Sequence, residues 1–192
     1  KQLLEYINSH AGKPVFTAMQ AEGREWVDIF SPEAVAKADY VFTDAMTWTN
    51  DQGQRMRLWI PEETHVGDPQ HFMEQLVSEI EGVTEEPIDI YVNPTFLPEK
   101  INDRYDELWT EDRIDRVVQA LAENDVALEI NARRNIPRKK ILEKAKEAGV
   151  DFTFGTNNTG RQVGKLRYCL RMIEELDLEP TDMWLPPVKE IN

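Results

Sequence analysis

Apolar residues fall into two spacings along this chain. Compact runs rich in β-branched and aromatic residues predict strands at Pro14–Glu22, Tyr40–Thr43, Pro87–Val92, Val126–Asn131 and Phe152–Gly155, and Met183-Trp184-Leu185 predicts a short sixth. Between them the spacing widens to three and four. Ser31 followed by Pro32 starts a short helix to about Ala38, and Asp68-Pro69 caps one whose apolar face is Phe72, Leu76, Val77 and Ile80. Thr110 caps a helix carrying Ile114, Val117, Val118 and Leu121. A further helix runs from Pro137 to Ala148 and stops at Gly149, and the last carries Val163, Leu166, Leu170 and Ile173. Leu3 to Ser9 reads as the tail of another. Two long connections remain: an irregular insertion from Met46 to Pro69, and Thr95 to Trp109.

Strands alternating with helices predict an α/β protein with a parallel sheet. A (β/α) barrel is favoured over an open doubly wound sheet, because no Gly-rich phosphate loop follows a strand, polar residues end every strand, and the long connections leave the carboxyl ends. A full barrel of this type takes about 250 residues. The expectation is therefore one domain over 1–192, a TIM-like barrel lacking its first strand–helix units, with sequence lost before Lys1.

The strand ends carry the candidate chemistry: Glu22, Asp44, Asn93, Glu129 with Asn131, and Asn157 with Asn158. In a barrel these converge on one mouth. Glu22, Asp44 and Glu129 offer carboxylate oxygens to a hard cation such as Mg²⁺ or Mn²⁺. Asn93, Asn131, Asn157 and Asn158 would position substrate oxygens, Arg24 and Arg57 would hold an anionic group, and Trp48 and Trp59 would line the pocket. A plainer reading stays open for each: a strand-end carboxylate can cap a helix or pair with an arginine, Asn157 or Asn158 can cap the last helix, and a loop tryptophan can fold down on the core.

Charge narrows the partners. Lys and Arg number 22 against 36 Asp and Glu, a formal charge of -14, which disfavours nucleic acid and anionic membrane surfaces and leaves a polar small molecule. Cys169 is the one cysteine, among apolar helix-period neighbours, so it reads as a buried thiol outside any disulfide framework. The apolar windows are strand-sized, with no membrane span and no signal peptide. A cytoplasmic protein is expected, with a secreted form after signal cleavage as the alternative. His10, His65 and His71 all miss the strand ends, which argues against a histidine-rich zinc site, and no nucleophile elbow surrounds a serine.

The order of motifs resembles the polymerase-and-histidinol-phosphatase (PHP) family, metal-dependent phosphoesterases on a distorted seven-stranded barrel. Ala127-Leu-Glu-Ile-Asn131, then Ala145-Lys-Glu-Ala-Gly149-Val150, then Phe152-Thr-Phe-Gly-Thr-Asn-Asn158 follow the family's "aLEIN", "a..aGv" and "ftlGSDAH". Asn93-Pro94 stands at the family's "HP", Ala21-Glu22-Gly23 resembles its metal-bridging glutamate segment, and Tyr40–Asp44 resembles a strand leading to another histidine. The departures are systematic: Asn93 replaces a histidine and Asn157 an aspartate, leaving Glu22 as the clear surviving ligand. The resemblance implies a divergent PHP or amidohydrolase-like barrel whose metal centre is reduced or lost. Two functions are expected in order: a hydrolase in which Glu22, Asp44 and Glu129 hold one divalent cation (Mn, Mg or Zn), or a metal-free protein binding a sugar or other polar or anionic ligand.

Overall fold

The computed structural model describes residues 16–157 and 164–186. In chain order the elements are β1 (Ala18–Gln20), α1 (Trp26–Ile29), α2 (Pro32–Val35), β2 (Tyr40–Thr43), β3 (Thr47–Thr49), β4 (Arg55–Arg57), α3 (Pro69–Thr84), β5 (Ile90–Tyr91), α4 (Tyr105–Leu108), α5 (Glu111–Glu123), β6 (Ala127–Asn131), α6 (Lys139–Glu147), β7 (Phe152–Gly155) and α7 (Arg167–Leu176). The expected helix starts form as the capping chemistry requires: Ser31 Oγ accepts from Ala34 N at 3.3 Å, Asp68 Oδ1 from His71 N at 2.9 Å, and Thr110 Oγ1 from Arg113 N at 3.4 Å.

Five strands make one parallel sheet in the order β1-β2-β5-β6-β7. The order never reverses. Each crossover therefore steps the same way, as in a barrel and unlike a doubly wound sheet. The barrel itself needs correcting: among the described strands the sheet is open, because β1 and β7 do not pair and five strands are too few to close the eight-stranded arrangement. The expected sixth strand contributes a single parallel bridge, Phe152 to Met183, with Trp184 N donating to Phe152 O at 2.9 Å. Its indole meets Tyr40 of β2 edge-on, centroids 5.5 Å apart, so the sheet is curled enough for the segment bridged to β7 to reach across its inner face to the second strand.

The outer face of the sheet buries Val41, Tyr91, Leu128, Ile130 and Phe152 against the apolar faces of α3, α5, α6 and α7, and the buried cluster extends from Ala21 to Leu178. Arg113 is the exception inside it. Its guanidinium ties α5 to α3 by donating to Glu74, to Gln70 and to the carbonyl of Leu108, so the buried charge is paired. On the inner face, Tyr40, Phe42, Val92, Thr153 and Trp184 line a cavity of about 560 Å³ into which Glu129 also reaches. Among the described residues no helix is long and apolar enough to cross a membrane.

Two further expectations change. The insertion after Met46 is not irregular: β3 and β4 form an antiparallel hairpin with Trp48 opposite Met56, both buried, and Arg55, Arg57 and Thr49 outward. Asn50 makes the turn, its Oδ1 accepting from the backbone N of Gln52 and Gln54, with Gly53 at φ 77°. The face of the last helix is only partly the expected one: Tyr168, Cys169, Met172 and Leu176 are buried, whereas Leu170 is 55% exposed. Of the expected stripe Leu166 and Ile173 do pack against the core and Cys169 is the buried thiol expected, but an aromatic ring and Met172 fill the space that aliphatic spacing gave to Leu170. Val163 lies outside the described residues.

Candidate functional site

The parallel register brings the polar strand ends together. Asp44 follows β2, Asn93 follows β5 by two residues, Glu129 and Asn131 lie on the same face of β6, and Asn157 follows β7 by two. Asn93 sits at the centre. Its backbone N donates to Glu129 Oε2 at 2.7 Å and its Nδ2 to Asp44 Oδ2 at 2.9 Å. Its own Oδ1 accepts from Asn131 Nδ2 at 3.2 Å and Asn157 Nδ2 at 3.1 Å, while Asn131 Nδ2 also reaches Glu129 Oε2 at 3.0 Å. Met46 N supplies Asp44 Oδ1 at 2.9 Å. Asn93 and Asn157 hold left-handed backbones, φ 48° and 44°, a conformation asparagine tolerates better than most residues and one that turns the chain sharply off each strand.

Gly155 explains itself here. Its φ is not in the left-handed region, but a Cβ on it would overlap the carboxylate of Glu129 and lie 2.8 Å from Glu129 Cγ. The glycine thus gives room to the acid on the neighbouring strand.

Burial pushes the Asp44 carboxyl up from its ordinary value; the hydrogen bonds from Asn93 and Met46 oppose the shift, the charge of Glu22 adds to it, and Arg134 opposes it. Glu129 is likewise pushed up by burial, opposed by Asn93 N–H and Asn131, and raised further by Asp44. The buried hydroxyl of Tyr91 is raised well above its usual range by burial and then by Asp44. Burial also pushes the Cys169 thiol up to about 11; its Sγ donates to Ile130 O at 3.1 Å, leaving it inert behind the site.

These shifts fix a pH dependence. With folded pKa values above the ordinary carboxyl range near ~4, Asp44 and Glu129 hold protons that the unfolded chain has released, so their contribution is greatest below that range and is lost as pH rises through the folded values. Urea midpoints measured from pH 4 to 8 are expected to fall less with rising pH in Glu129→Gln than in the parent. An identical slope would show that Glu129 does not titrate in this way.

The other expected site residues are dispersed. Glu22 is exposed beside the mouth, its Oε1 accepting from Thr47 Oγ1 at 3.1 Å, and its charge acts on Asp44. Arg24 pairs with Glu86 at 2.9 Å and Arg57 donates to Glu63 at 2.6 Å, so both guanidinium groups are engaged by acids of their own surroundings. Trp48 is in the core against Phe72, 5.7 Å between centroids, and only Trp59 stays exposed. Asn157 does not cap the last helix, which starts at Arg167, and Asn158 lies outside the described residues.

Arg134 was missed. The chain leaves β6 in a tight loop closed by Asn131 N to Ile136 O at 2.8 Å, and Asn131 Oδ1 accepts from Arg134 N at 3.0 Å. The guanidinium lies 4.3 Å from the Phe96 ring centroid and its field acts on both Asp44 and Glu129. The signal was present in the sequence as a basic residue three positions after a strand-end asparagine.

No family model matches the chain, and no curated protein matches it. Among solved structures, a histidinol phosphate phosphatase from Lactococcus lactis subsp. lactis, crystallised with zinc, L-histidinol and phosphate, superposes with a TM-score of 0.65 at 14% identity, over 93% of this chain and 73% of that one. The chain shares that phosphatase's fold. Whether the zinc carries over is a question for the donors present. Among the described residues no three His, Cys, Asp or Glu side chains come together as a metal-holding group. Asp44 takes an N–H donor on each oxygen and Glu129 Oε2 takes two, so three of the four carboxylate oxygens of this pair are already engaged. Amide nitrogens stand where a zinc cluster would need lone pairs, so the site does not fit one.

Proposed function

We propose that the chain is a hydrolase of the PHP type, acting on a polar, anionic small molecule at the carboxyl-end mouth of the sheet, with Asp44 and Glu129 as its acid–base pair. The supporting observation is the bridge through Asn93, which donates to both carboxyl groups while burial raises both. Two acids so joined do not ionise together easily; one holds a proton where the other accepts one. The ionised carboxylate takes a proton from water as its oxygen bonds to the phosphorus or acyl carbon, and the protonated one gives its proton to the leaving oxygen. General acid–base help of this kind contributes about 10²–10⁴ in rate. The cytoplasm is the compartment that goes with this reading.

Turnover of para-nitrophenyl phosphate tests it. Activity that survives chelation and falls at least about a hundredfold in both Asp44→Asn and Glu129→Gln is the expected result. Unchanged turnover in the two variants would overturn the reading. Stoichiometric Mn, Mg or Zn in the purified protein, with activity lost on chelation, would replace it by the cation-dependent version in which Glu22, Asp44 and Glu129 are ligands. A second reading, a metal-free binding protein for a sugar or similar polar ligand, is favoured by the three neutral amides of the network. It predicts thermal stabilisation by sugars, indifferent to chelator and without turnover.

A further inference from the structure

Beside the mouth, the loop after β4 and the loop after β5 enclose a cavity of about 250 Å³. Leu58 and Phe96 form its apolar wall, Trp59 is 40% exposed, and Lys100, Arg134 and Thr64 complete the lining. Lys100 Nζ donates to Thr64 O at 2.8 Å, which ties the two loops and leaves ammonium donors to spare. Arg134 stacks on Phe96, and its guanidinium makes no hydrogen bond or ion pair among the described residues. That combination is unusual in this chain, where Arg24, Arg55, Arg57, Arg104, Arg113, Arg116 and Arg138 all pair with acids and the net charge is -14. The lining therefore carries two cations, Lys100 and Arg134, against one carboxylate, Glu99.

We propose that this cavity is an anion subsite, taking a phosphate or carboxylate carried on a planar ring, with Arg134 the residue that joins it to the strand-end acids. A guanidinium already stacked on an aromatic face keeps its edge free for a forked bond to an oxyanion, and the exposed indole of Trp59 offers a face to the ring that carries it. Complete small-molecule sites run from about 300 Å³ upward, so a cavity of this size holds one end of a ligand. The other end extends toward Asp44 and Glu129, whose fields Arg134 shares. The subsite deepens the hydrolase reading and rests on it for the direction in which the ligand lies, but its binding is measurable without turnover.

Calorimetric titration of the intact chain with phenyl phosphate, benzoate and phenol tests the proposal. The two anions are expected to bind and phenol not, with phenyl phosphate ahead if phosphate is the group recognised and benzoate ahead if carboxylate is. Arg134→Gln is expected to weaken binding at least tenfold, Trp59→Ala several-fold, and Arg134→Lys to an intermediate degree, since the charge is kept and the fork lost. Both residues are exposed, so unchanged melting temperatures are expected and would exclude misfolding as the cause. Equal affinity of the parent, Arg134→Gln and Trp59→Ala, or no binding of either anion at millimolar concentration, would overturn it. Failure of the mouth chemistry would instead appear as turnover indifferent to Asp44 and Glu129 with anion binding intact.

Discussion

Gly155→Ala is expected to lose about 2–6 kcal/mol of stability in urea denaturation, although the change is a single methyl group. The backbone of Gly155 tolerates alanine, because its φ is not left-handed. What resists is Glu129. A methyl at this position would overlap its carboxylate, and the acid cannot swing away without releasing the donors it holds from Asn93 N and Asn131 Nδ2. Overpacking in a tight site costs about 1–3 kcal/mol, and stranding buried hydrogen-bonding groups costs about 1–3 more. Nor can the strand retreat, since Gly155 O accepts from Ala132 N at 2.7 Å in the ladder between β6 and β7. The double variant Gly155→Ala/Glu129→Ala removes the colliding group. It is expected to be less destabilised than the two single changes added together, a coupling that a cycle of four stability measurements reads directly. Strict additivity would mean that Glu129 does not occupy the space the glycine leaves.

Asn93→Ala is expected to cost about 2–5 kcal/mol and to raise the apparent pKa of Asp44 further. The substitution removes the Nδ2 donor to Asp44 and the Oδ1 that accepts from both Asn131 and Asn157, while the N–H to Glu129 survives because it belongs to the backbone. A charge-assisted bond lost at a buried carboxylate is worth about 1.5–3 kcal/mol, and placing alanine in a left-handed backbone adds about 1–2. Asn93→Asp is the informative partner. It keeps the shape and the backbone preference but sets a third carboxyl against Asp44, so its stability loss is expected to be larger at pH 7 than at pH 4, where protonation restores a donor. Denaturation midpoints at the two pH values check this; a deficit equal at both would show that Asn93 does not touch an ionising acid.

Local patterning determined most of the element list. Periodicity and caps are properties of neighbouring residues, so Tyr40–Thr43, Phe152–Gly155 and the helix starts at Ser31, Asp68 and Thr110 were legible before any coordinates. The hairpin around Gly53 was legible too, in the alternation Thr47-Trp48-Thr49 and Arg55-Met56-Arg57, but it was read as irregular because each arm is only three residues long. The buried stripe of α7 was legible only in part: Leu166, Cys169 and Ile173 turn toward the core as expected, but that Tyr168 and Met172 rather than Leu170 fill it depends on what space the sheet leaves, a quantity no window of sequence contains.

The site divides along the same line. Strand ends in a parallel sheet share one edge by construction, so the residues themselves predicted that Asp44, Asn93, Glu129, Asn131 and Asn157 would gather, and they do. Tertiary structure alone decided which carboxylates would be buried, that Glu22 would stay at the surface, that Glu63 and Glu86 would claim Arg57 and Arg24, and that Arg134 would stack on an aromatic ring without an acid partner among the described residues. Pairing of charges is a contest among long side chains from distant segments, settled by distances of a few ångström, and burial is set by everything packed around a group. Sequence order carries neither, and it was these two that turned a row of polar strand ends into a bridged pair of acids with an arginine at its rim.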